Sequence, residues 1–444
     1  MGTKPSAEVI NCQRVDATES GEISGLEAGK KVKRHKGQIL TNTNGFLVGA
    51  AIHCAGMHSP MRRLALLISA GDTEIMRYIH ERDAWPKFHW QAEALETSLA
   101  HVRHRQGRLI GRTEALGFKL RAEAVLQTFT EDVIKTSDIE GEQLDKEQVR
   151  SSIARRLGMD IAGLVPAEHH VEGIVEMMLD ATQNYQKPLT EDRLFAWHAS
   201  LFPSGRSGMT KIIVGHWRSA ATGPMQVVSG AIGPEKVHFE APAADRLAGE
   251  MAQFLAWFES ETKIDPVIKA GIAHLWFVTI HPFEDGNGRI ARAIADLELA
   301  QTEISAQRFY SMSSQIRIER NRYYDMLETT QKGGLDITPW LQWFLDCLSR
   351  AFDIADETMN AVMTKARFWE TIKGKPLNER QLLVLNRFLD GFDGKLTSSK
   401  WAKLAKCSQD TASRDIDDLV RKGILQRSAA GGRSTSYEIV LHEA

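Results

Sequence analysis

A chain of 444 residues with 43% hydrophobic and 25% charged residues and a net charge of −2 has the composition of a soluble globular protein long enough for two or three domains. The near-zero charge excludes a global electrostatic field for nucleic acid or a membrane surface, so any such binding must come from a local patch. Cys12, Cys54, Cys347 and Cys407 stand apart, without the spacing of a zinc site or a disulfide framework, and the apolar runs near residues 47–57 and 64–70 are too short to span a bilayer as a helix. With a polar N-terminus that lacks the apolar stretch of a signal peptide, these features predict a cytoplasmic protein with no membrane partner.

Residues 1–46 are dominated by Gly, Thr, Ser and charge, including the basic run Lys30, Lys31, Lys33, Arg34 and Lys36, which predicts a solvated segment. A short β-like run follows at residues 45–52. From Met76 the pattern is helical. After an aromatic stretch containing Trp85, Phe88 and Trp90, Leu95, Leu99 and Val102 share one face of a helix reaching Arg105. Val125, Phe129 and Val133 then recur every four residues in a helix that closes at Glu140-Gly141, where the glycine suits a C-cap. Residues 211–240, rich in Gly, Val and Pro, predict turns and short strands, with Met225 to Ser229 as one arm of a hairpin. Leu247, Met251, Phe254, Leu255 and Phe258 define an amphipathic helix, and the run from Pro266 to Ile280 is apolar nearly all round, as in a buried central helix. A composition shift near Thr364 opens the last segment, which holds helices over 382–389, from Ser398 and from Gln409, then two short strands either side of Gly431-Gly432. Three helices and a hairpin in that order predict a winged helix.

The chemistry concentrates between His281 and Arg292. Pro282 forces the chain out of the preceding helix, and Gly286-Asn287-Gly288 opens a new one whose apolar side carries Ile290, Ala293, Ile294 and Leu297. Such a turn presents backbone N–H groups at the positive end of a helix dipole, an anion site suited to phosphate. Arg289 and Arg292, three residues apart, share a face of the first turn, and two guanidinium forks there fit a polyphosphate. Asp285 is a hard oxygen donor for Mg2+. His281 is a natural general base for a hydroxyl nucleophile.

The run His281-Pro282-Phe283-Glu284-Asp285-Gly286-Asn287-Gly288-Arg289 with Arg292 is similar to the signature of the Fic family at every fixed position. The resemblance implies a protein adenylyltransferase, a nucleotidyltransferase that moves AMP from ATP to a Ser, Thr or Tyr hydroxyl of a target protein. It implies His281 as the catalytic base, Asp285 as the Mg2+ ligand, and Gly286, Asn287, Gly288, Arg289 and Arg292 as the phosphate-binding residues. Arg289 would serve the β side and Arg292 the γ-phosphate, while Phe283 would anchor the loop. Glycine at 288, where a related kinase-like family has lysine, favours AMP transfer. Thr136-Ser137-Asp138-Ile139-Glu140-Gly141 resembles the family's inhibitory helix, which makes Glu140 a competitor for Arg292. Residues 225–229 fall where the family has its flap, which would bind an extended target segment by strand addition. The Trp85-Pro86, Phe88, Trp90 entry and Gly107 to Gly111 resemble a poorly understood domain that often precedes Fic domains. Residues 8–58 resemble a stretch of an insertion-sequence DDE transposase, with Asn11 where that family has a metal-binding carboxylate.

The expected fold class is therefore mostly α: a Fic-type helical domain with a small β-hairpin flap, preceded by a helical extension and followed by a winged helix. The expected boundaries are 1–75, a poorly structured transposase-like remnant; 76–165, a helical Fic-associated domain with the inhibitory helix; 166–363, the catalytic domain; and 364–444, the winged helix. His274, seven residues before His281 on the same helix face, is expected to be packed. Residues 395–433 hold nine Lys/Arg against four Asp, a local excess of +5 that suits double-stranded DNA, although Asp415, Asp417 and Asp418 lie on the recognition helix. Besides autoinhibited AMP transfer, two readings stay open: a DNA-binding regulator whose Fic domain senses nucleotide, and an enzyme that removes AMP from a modified protein. A homodimer is also open.

Overall fold

The computed structural model describes the backbone of residues 35–41 and 47–54, and residues 78–440 apart from 115–117, 160–162, 230–235, 262, 306, 390–393 and 429–434. The chain divides into two compact units, Met1–Ile75 and Met76–Ala444. In the first, strands β1 (His35–Thr41) and β2 (Leu47–Cys54) pair antiparallel, with a register shift at Leu40/Thr41. Asn11 and the basic run before His35 lie outside the described residues.

The second unit is helical. Helix α1 (Ala92–Glu114) buries Leu95, Val102 and Leu109, so the helix expected to reach Arg105 continues to Glu114 on the same apolar face. Helix α2 (Phe118–Ile139) follows, then α3 (Lys146–Arg156), capped by Asp145, whose carboxylate accepts from the Gln148 N–H at 2.8 Å. Helices α4 (His169–Gln183) and α5 (Glu191–Leu201) cross closely at Gly173, where a Cβ would overlap the Ser200 carbonyl. Two small hairpins come next: β3 (Arg206–Ser207) with β4 (Thr210–Lys211), and β5 (Gln226–Ser229) with β6 (Lys236–Glu240). Helix α6 (Leu247–Glu259) leads to α7 (Pro266–Ile280), every residue of which after Pro266 is buried, and to α8 (Asn287–Glu303). Gly271 lets the Leu341 and Phe344 side chains come within 3.0 and 3.2 Å of where its Cβ would stand, so α7 threads the centre of the molecule. Helices α9 (Met312–Ile318) and α10 (Arg320–Gln331) precede the 34-residue α11 (Thr338–Thr371).

One hydrophobic core runs from Ile79 to Val362 and takes side chains from α1 to α3 as well as from α4 to α11. The segment before residue 166 is therefore built into the same core as the helices after it. A second, smaller core begins at Phe368 and Ile372 on the last turns of α11. Helix α11 passes through position 364 without a break, because Val362 belongs to one core and Phe368 to the other, and the helix between them is continuous. The second core is completed by α12 (Glu379–Leu389), α13 (Ser398–Leu404) and α14 (Gln409–Arg421), with β7 (Leu396–Thr397), β8 (Leu425–Arg427) and β9 (Ser436–Ile439) in the sheet order β7-β9-β8. Among the described residues, no helix is long and apolar enough to cross a membrane.

Candidate active site

The turn between α7 and α8 carries the chemistry. His281 closes α7 in a left-handed conformation, φ 51° and ψ 58°, with its N–H on the Phe277 carbonyl at 3.0 Å. Its Nδ1 lies 3.1 Å from the Val278 carbonyl. A carbonyl can only accept, so Nδ1 carries the proton and Nε2 presents a lone pair. Burial lowers the His281 pKa, opposed by the Val278 bond and reinforced by the Arg218 cation, so the ring is neutral at pH 7 and ready to take a proton.

Arg218, buried, braces the loop from behind. Its Nε donates to the His281 carbonyl at 2.8 Å, Nη2 to the Pro242 carbonyl at 2.5 Å, and its own N–H to the Pro282 carbonyl at 2.9 Å. Burial among carbonyls pulls its pKa down to about 10. Phe283 is fully buried and stacks on His198, ring centroids 4.1 Å apart and nearly parallel. The Gly215 N–H donates to His198 Nδ1 at 3.1 Å, which places the proton on Nε2, facing the Asp285 carbonyl at 3.2 Å. Burial pushes the His198 pKa down to about 4, consistent with this neutral tautomer. Asn287 completes the brace: its side chain accepts from the Phe283 N–H at 2.9 Å and donates to the Phe283 carbonyl at 2.8 Å. Glu284 accepts from the Ile213 N–H at 2.8 Å, which ties the loop to the segment before the second hairpin.

The helical ladder of α8 begins with the Ile290 N–H on the Gly286 carbonyl at 3.0 Å. The N–H groups of Asn287, Gly288 and Arg289 therefore belong to a first turn that has no intrahelical acceptors. Over this turn lies the end of α2. Gly141, φ +85°, closes that helix in a Schellman motif: Glu142 N–H to Ser137 O at 3.0 Å and Gly141 N–H to Asp138 O at 3.2 Å. Arg320 Nε, from α10, caps the Ile139 carbonyl at 2.7 Å. The helix end so fixed delivers Glu140 to Arg292, whose Nη2 donates to its Oε1 at 2.7 Å. Arg292 also donates to the Thr136 hydroxyl at 2.8 Å and to the Thr136 carbonyl at 2.9 Å. Burial disfavours the Arg292 charge, but Glu140 outweighs it and the pKa is raised. Two residues on, Glu142 accepts from Arg289 Nη1 at 2.8 Å, and the Arg289 guanidinium lies over the Phe202 ring at 5.1 Å.

Asp285 is half-exposed and accepts from the Ser207 hydroxyl and the Gly286 N–H, with Arg289 Nη2 at 3.9 Å. It opens with Arg289 onto a cleft walled by residues 201–208, 140–142 and 168–170. Mg2+ takes one or two carboxylates and fills its remaining positions with water and phosphate oxygens, so a single accessible Asp beside an anion site fits it; among the described residues no cluster of three or more His, Cys, Asp or Glu could hold a metal unaided. His274 is buried, bonded to the Tyr323 hydroxyl at 2.9 Å, with its pKa pushed down to about 3 by burial. It serves the core.

The β5–β6 hairpin is rooted beside His281 through Pro242, whose carbonyl Arg218 holds. His238 ties it to α10: Nδ1 lies 2.6 Å from a Glu328 carboxylate oxygen and Nε2 2.5 Å from the Ser229 hydroxyl. The sequence pattern brought out His281, Asp285, Gly286, Asn287, Gly288, Arg289, Arg292 and Glu140, and the fold brings all of them to one place. It gave no notice of Arg218, His198 or Glu142, which reach the site from other elements.

Residues 188–299 match the model of the Fic/DOC family, and residues 78–159 match a domain of unknown function, DUF4172. A protein adenylyltransferase Fic of Culex quinquefasciatus is 32% identical over 115 residues, which are 26% of this chain and 21% of that protein; its counterpart in Drosophila yakuba is 33% identical over 115 residues, 22% of that protein. The chain thus spans about a fifth of the length of the curated relatives it matches. A solved Fic family protein from Desulfovibrio desulfuricans is similar at 22% identity, covering 80% of this chain and 98% of that one, with a TM-score of 0.46.

Proposed function

We propose, for a chain whose residues 188–299 form a Fic/DOC family domain, that it is an autoinhibited protein adenylyltransferase that transfers AMP from ATP to a hydroxyl of a target protein. The observation that carries this reading is the Glu140 carboxylate seated on the first turn of α8, bonded to Arg292 at 2.7 Å. A buried guanidinium holds one negative charge over Gly288, on a first turn whose N–H groups have no intrahelical acceptor, which is the electrostatic demand of a phosphate.

In this reading the target hydroxyl attacks the α-phosphorus of ATP. Its proton passes to His281 Nε2, the new P–O bond forms as the bond to the β-phosphate oxygen breaks, and pyrophosphate leaves. His281 is held for the task by its Val278 bond and by Arg218. The N–H groups of Asn287, Gly288 and Arg289 receive phosphate oxygens, Arg289 takes the β side and Arg292 the γ-phosphate. The Asn287 side chain holds the loop in shape rather than touching phosphate, since both its polar atoms are bonded to Phe283. Asp285 would hold Mg2+, whose charge offsets that of the phosphates. The β5–β6 hairpin offers a target segment a strand edge next to His281. A cytoplasmic location for the chain and its assembly as a homodimer belong to the same proposal.

The test is incubation of the protein and a Glu140→Gly variant with labelled ATP and cell lysate, followed by mass spectrometry of the labelled bands. Labelled hydroxyls, more abundant with the variant, are expected; absence of label from both, with intact folding, overturns the reading. Loss of AMP from a premodified target that depends on Glu140 would assign the reverse reaction instead.

A second, separable role is supported at the C-terminus. The α12–α14 unit with its β7-β9-β8 sheet has the layout of a winged helix. Of the four acids on α14 that would repel phosphate, Asp415 and Asp418 are engaged by neighbouring side chains, while Asp410 and Asp417 stay exposed. Asp415 is buried and accepts from Arg380 Nε at 2.8 Å and Asn378 at 2.9 Å; Asp418 accepts from Lys422 at 2.5 Å and Gln381 at 3.0 Å. Lys403, Lys406, Arg414 and Arg421 stay exposed. We assign this surface to double-stranded DNA.

A further inference from the structure

Each of the two arginines of the α8 first turn has its own carboxylate, and both carboxylates come from the end of α2. Glu140 takes Arg292 at 2.7 Å and Glu142 takes Arg289 at 2.8 Å. One backbone device places both. The positive φ of Gly141 turns the chain between them, and the Glu142 N–H is bonded back to Ser137, so the two side chains are spaced to meet guanidinium groups one helical turn apart. The pairs differ in depth: the Arg292 side chain is 2% exposed and Glu140 29%, whereas Arg289 is 7% exposed and Glu142 36%. Glu140 is the inner partner and Glu142 stands at the mouth, on the wall of the cleft that also exposes Asp285.

We propose that Glu142 is a second, outer lock of the nucleotide site, a specificity residue that competes with the β side of a nucleoside polyphosphate for Arg289; this rests on the nucleotide reading above. Arg289 is nearly buried, its Nε is buried without a protein acceptor among the described residues, and its Nη1 meets Glu142 on the wall of the cleft. Apart from Glu142, Arg289 is held in place by the Phe202 ring at 5.1 Å and by Asp285 at 3.9 Å. The guanidinium is thus preorganised for an anion, and the carboxylate of Glu142 is the anion it holds in the free protein. Removal of Glu140 alone frees Arg292 and leaves Arg289 engaged. The carboxylates act on different arginines, so each removal contributes to ligand affinity, and as neighbours on one ligand site the two are coupled.

The two locks predict different ligand signatures. Glu142→Gln keeps an acceptor for Arg289 and removes the competing charge. Titration calorimetry with AMP, ADP and ATP, on wild type, Glu142→Gln, Glu140→Gly and the double variant, separates them. Glu142→Gln is expected to tighten ADP and ATP by roughly three- to tenfold while leaving AMP unchanged. Glu140→Gly tightens ATP more than ADP, and the double variant binds ATP more tightly than either single variant. Thermal melts of all four proteins report folding. If Glu140→Gly tightens ATP but Glu142→Gln and the double variant match their parents for ADP and ATP, the outer lock is overturned and the nucleotide reading stands. If none of the four folded proteins binds any of the three nucleotides, the nucleotide reading falls and the lock with it. Equal tightening of AMP, ADP and ATP by Glu142→Gln also overturns the proposal, since it would show a general field rather than competition at Arg289.

Discussion

Glu140 lies so close over Gly288 that a Cβ on the glycine would overlap its carboxylate oxygen. The same oxygen accepts from Arg292. A phosphate bound to the first turn of α8 and to Arg292 needs that space, so carboxylate and phosphate exclude each other. A charge-assisted bond of this kind is worth about 1.5–3 kcal/mol, so Glu140→Gly is expected to raise productive ATP binding and auto-modification by roughly ten- to hundredfold. Arg292→Ala should be inactive with or without Glu140, because the γ-phosphate contact is absent in both. Label incorporation from ATP checks this; equal incorporation by wild type and Glu140→Gly would rule out the inhibitory role.

His281→Ala is expected to abolish transfer while ATP binding persists, because the imidazole acts on the nucleophile and not on the phosphates. The pH profile should follow the neutral ring. Burial depresses the His281 pKa, with Arg218 adding to it, so the base stays unprotonated to lower pH than an ordinary histidine, whose pKa is about 6.5. Activity is lost as pH falls through that depressed pKa, and the acid limb of kcat/KM should lie below about 6.5. An acid limb at or above that value would place the titrating base elsewhere.

The Arg218 guanidinium holds the His281 and Pro242 carbonyls together. Arg218→Met should lower kcat by roughly ten- to hundredfold, the usual cost of losing a supporting shell, and leave the ATP dissociation constant near that of the parent. Lys at this position offers one donor centre where Arg offers a fork, so partial recovery in Arg218→Lys is expected. The change should also shift the acid limb of the pH profile upward, since a cation beside His281 is gone. A loss in ATP affinity with kcat preserved would show that Arg218 acts on the nucleotide side.

The parts of this site that lie along one stretch of chain were legible in the sequence. His281, Asp285, the Gly286-Asn287-Gly288 turn and the arginine pair are spaced by local helix and turn geometry, which fixes what they can do together. Glu140 was legible only because a second short motif accompanied the first. Glu142, His198 and Arg218 were not, because each reaches the site across a long loop closure and has no local pattern of its own: Glu142 and Arg289 are 147 positions apart, and His198 and Asp285 are 87 apart. The composition shift near Thr364 marks a change of hydrophobic core but not a break in the chain, because a 34-residue helix carries residues for both cores. Apolar periodicity reports which face is buried and is silent about which core buries it.

Behind the α8 helix lies a buried ionic cluster. Arg308 pairs with Asp296, both side chains 2% exposed, and the Tyr310 hydroxyl donates to Glu303 at 2.6 Å, while Asp132 of α2 accepts from Ser311 at 2.5 Å. The surrounding acids Asp296, Glu303 and Asp132 hold the Arg308 pKa above its ordinary value against the burial that lowers it. Breaking a buried pair by removal of one partner typically costs about 3–5 kcal/mol. Arg308→Ala is therefore expected to be strongly destabilising in urea titrations, because it leaves Asp296 and its neighbours without a counter-ion. Arg308→Ala together with Asp296→Ala should recover part of the loss, as expected when both members of a buried pair are removed. A single variant as stable as wild type would show that the cluster is solvated through an opening and carries little energy.

The C-terminal unit should bind double-stranded DNA with a strong salt dependence. Its local excess of positive charge acts mainly through phosphate neutralisation, so log affinity should fall linearly with log salt. The exposed cations Lys403 and Arg414 sit on the two helices of the turn, whereas Asp415 and Asp418 are engaged with Arg380, Gln381 and Lys422. Asp410 and Asp417 remain exposed and oppose phosphate, which limits the expected affinity. Lys403→Ala and Arg414→Ala should each weaken binding to unrelated sequences alike and reduce the salt slope by about 1 if each side chain touches one phosphate. Arg380→Ala gives an independent check of the inward-turned acids. It removes the partner of Asp415 at 2.8 Å, returns a carboxylate to the α14 surface, and should weaken DNA binding although Arg380 itself lies on α12. Fluorescence anisotropy with a labelled duplex at 50 and 200 mM salt reads all three. Absence of binding by the wild-type protein at the lower salt would assign this face to a protein partner instead.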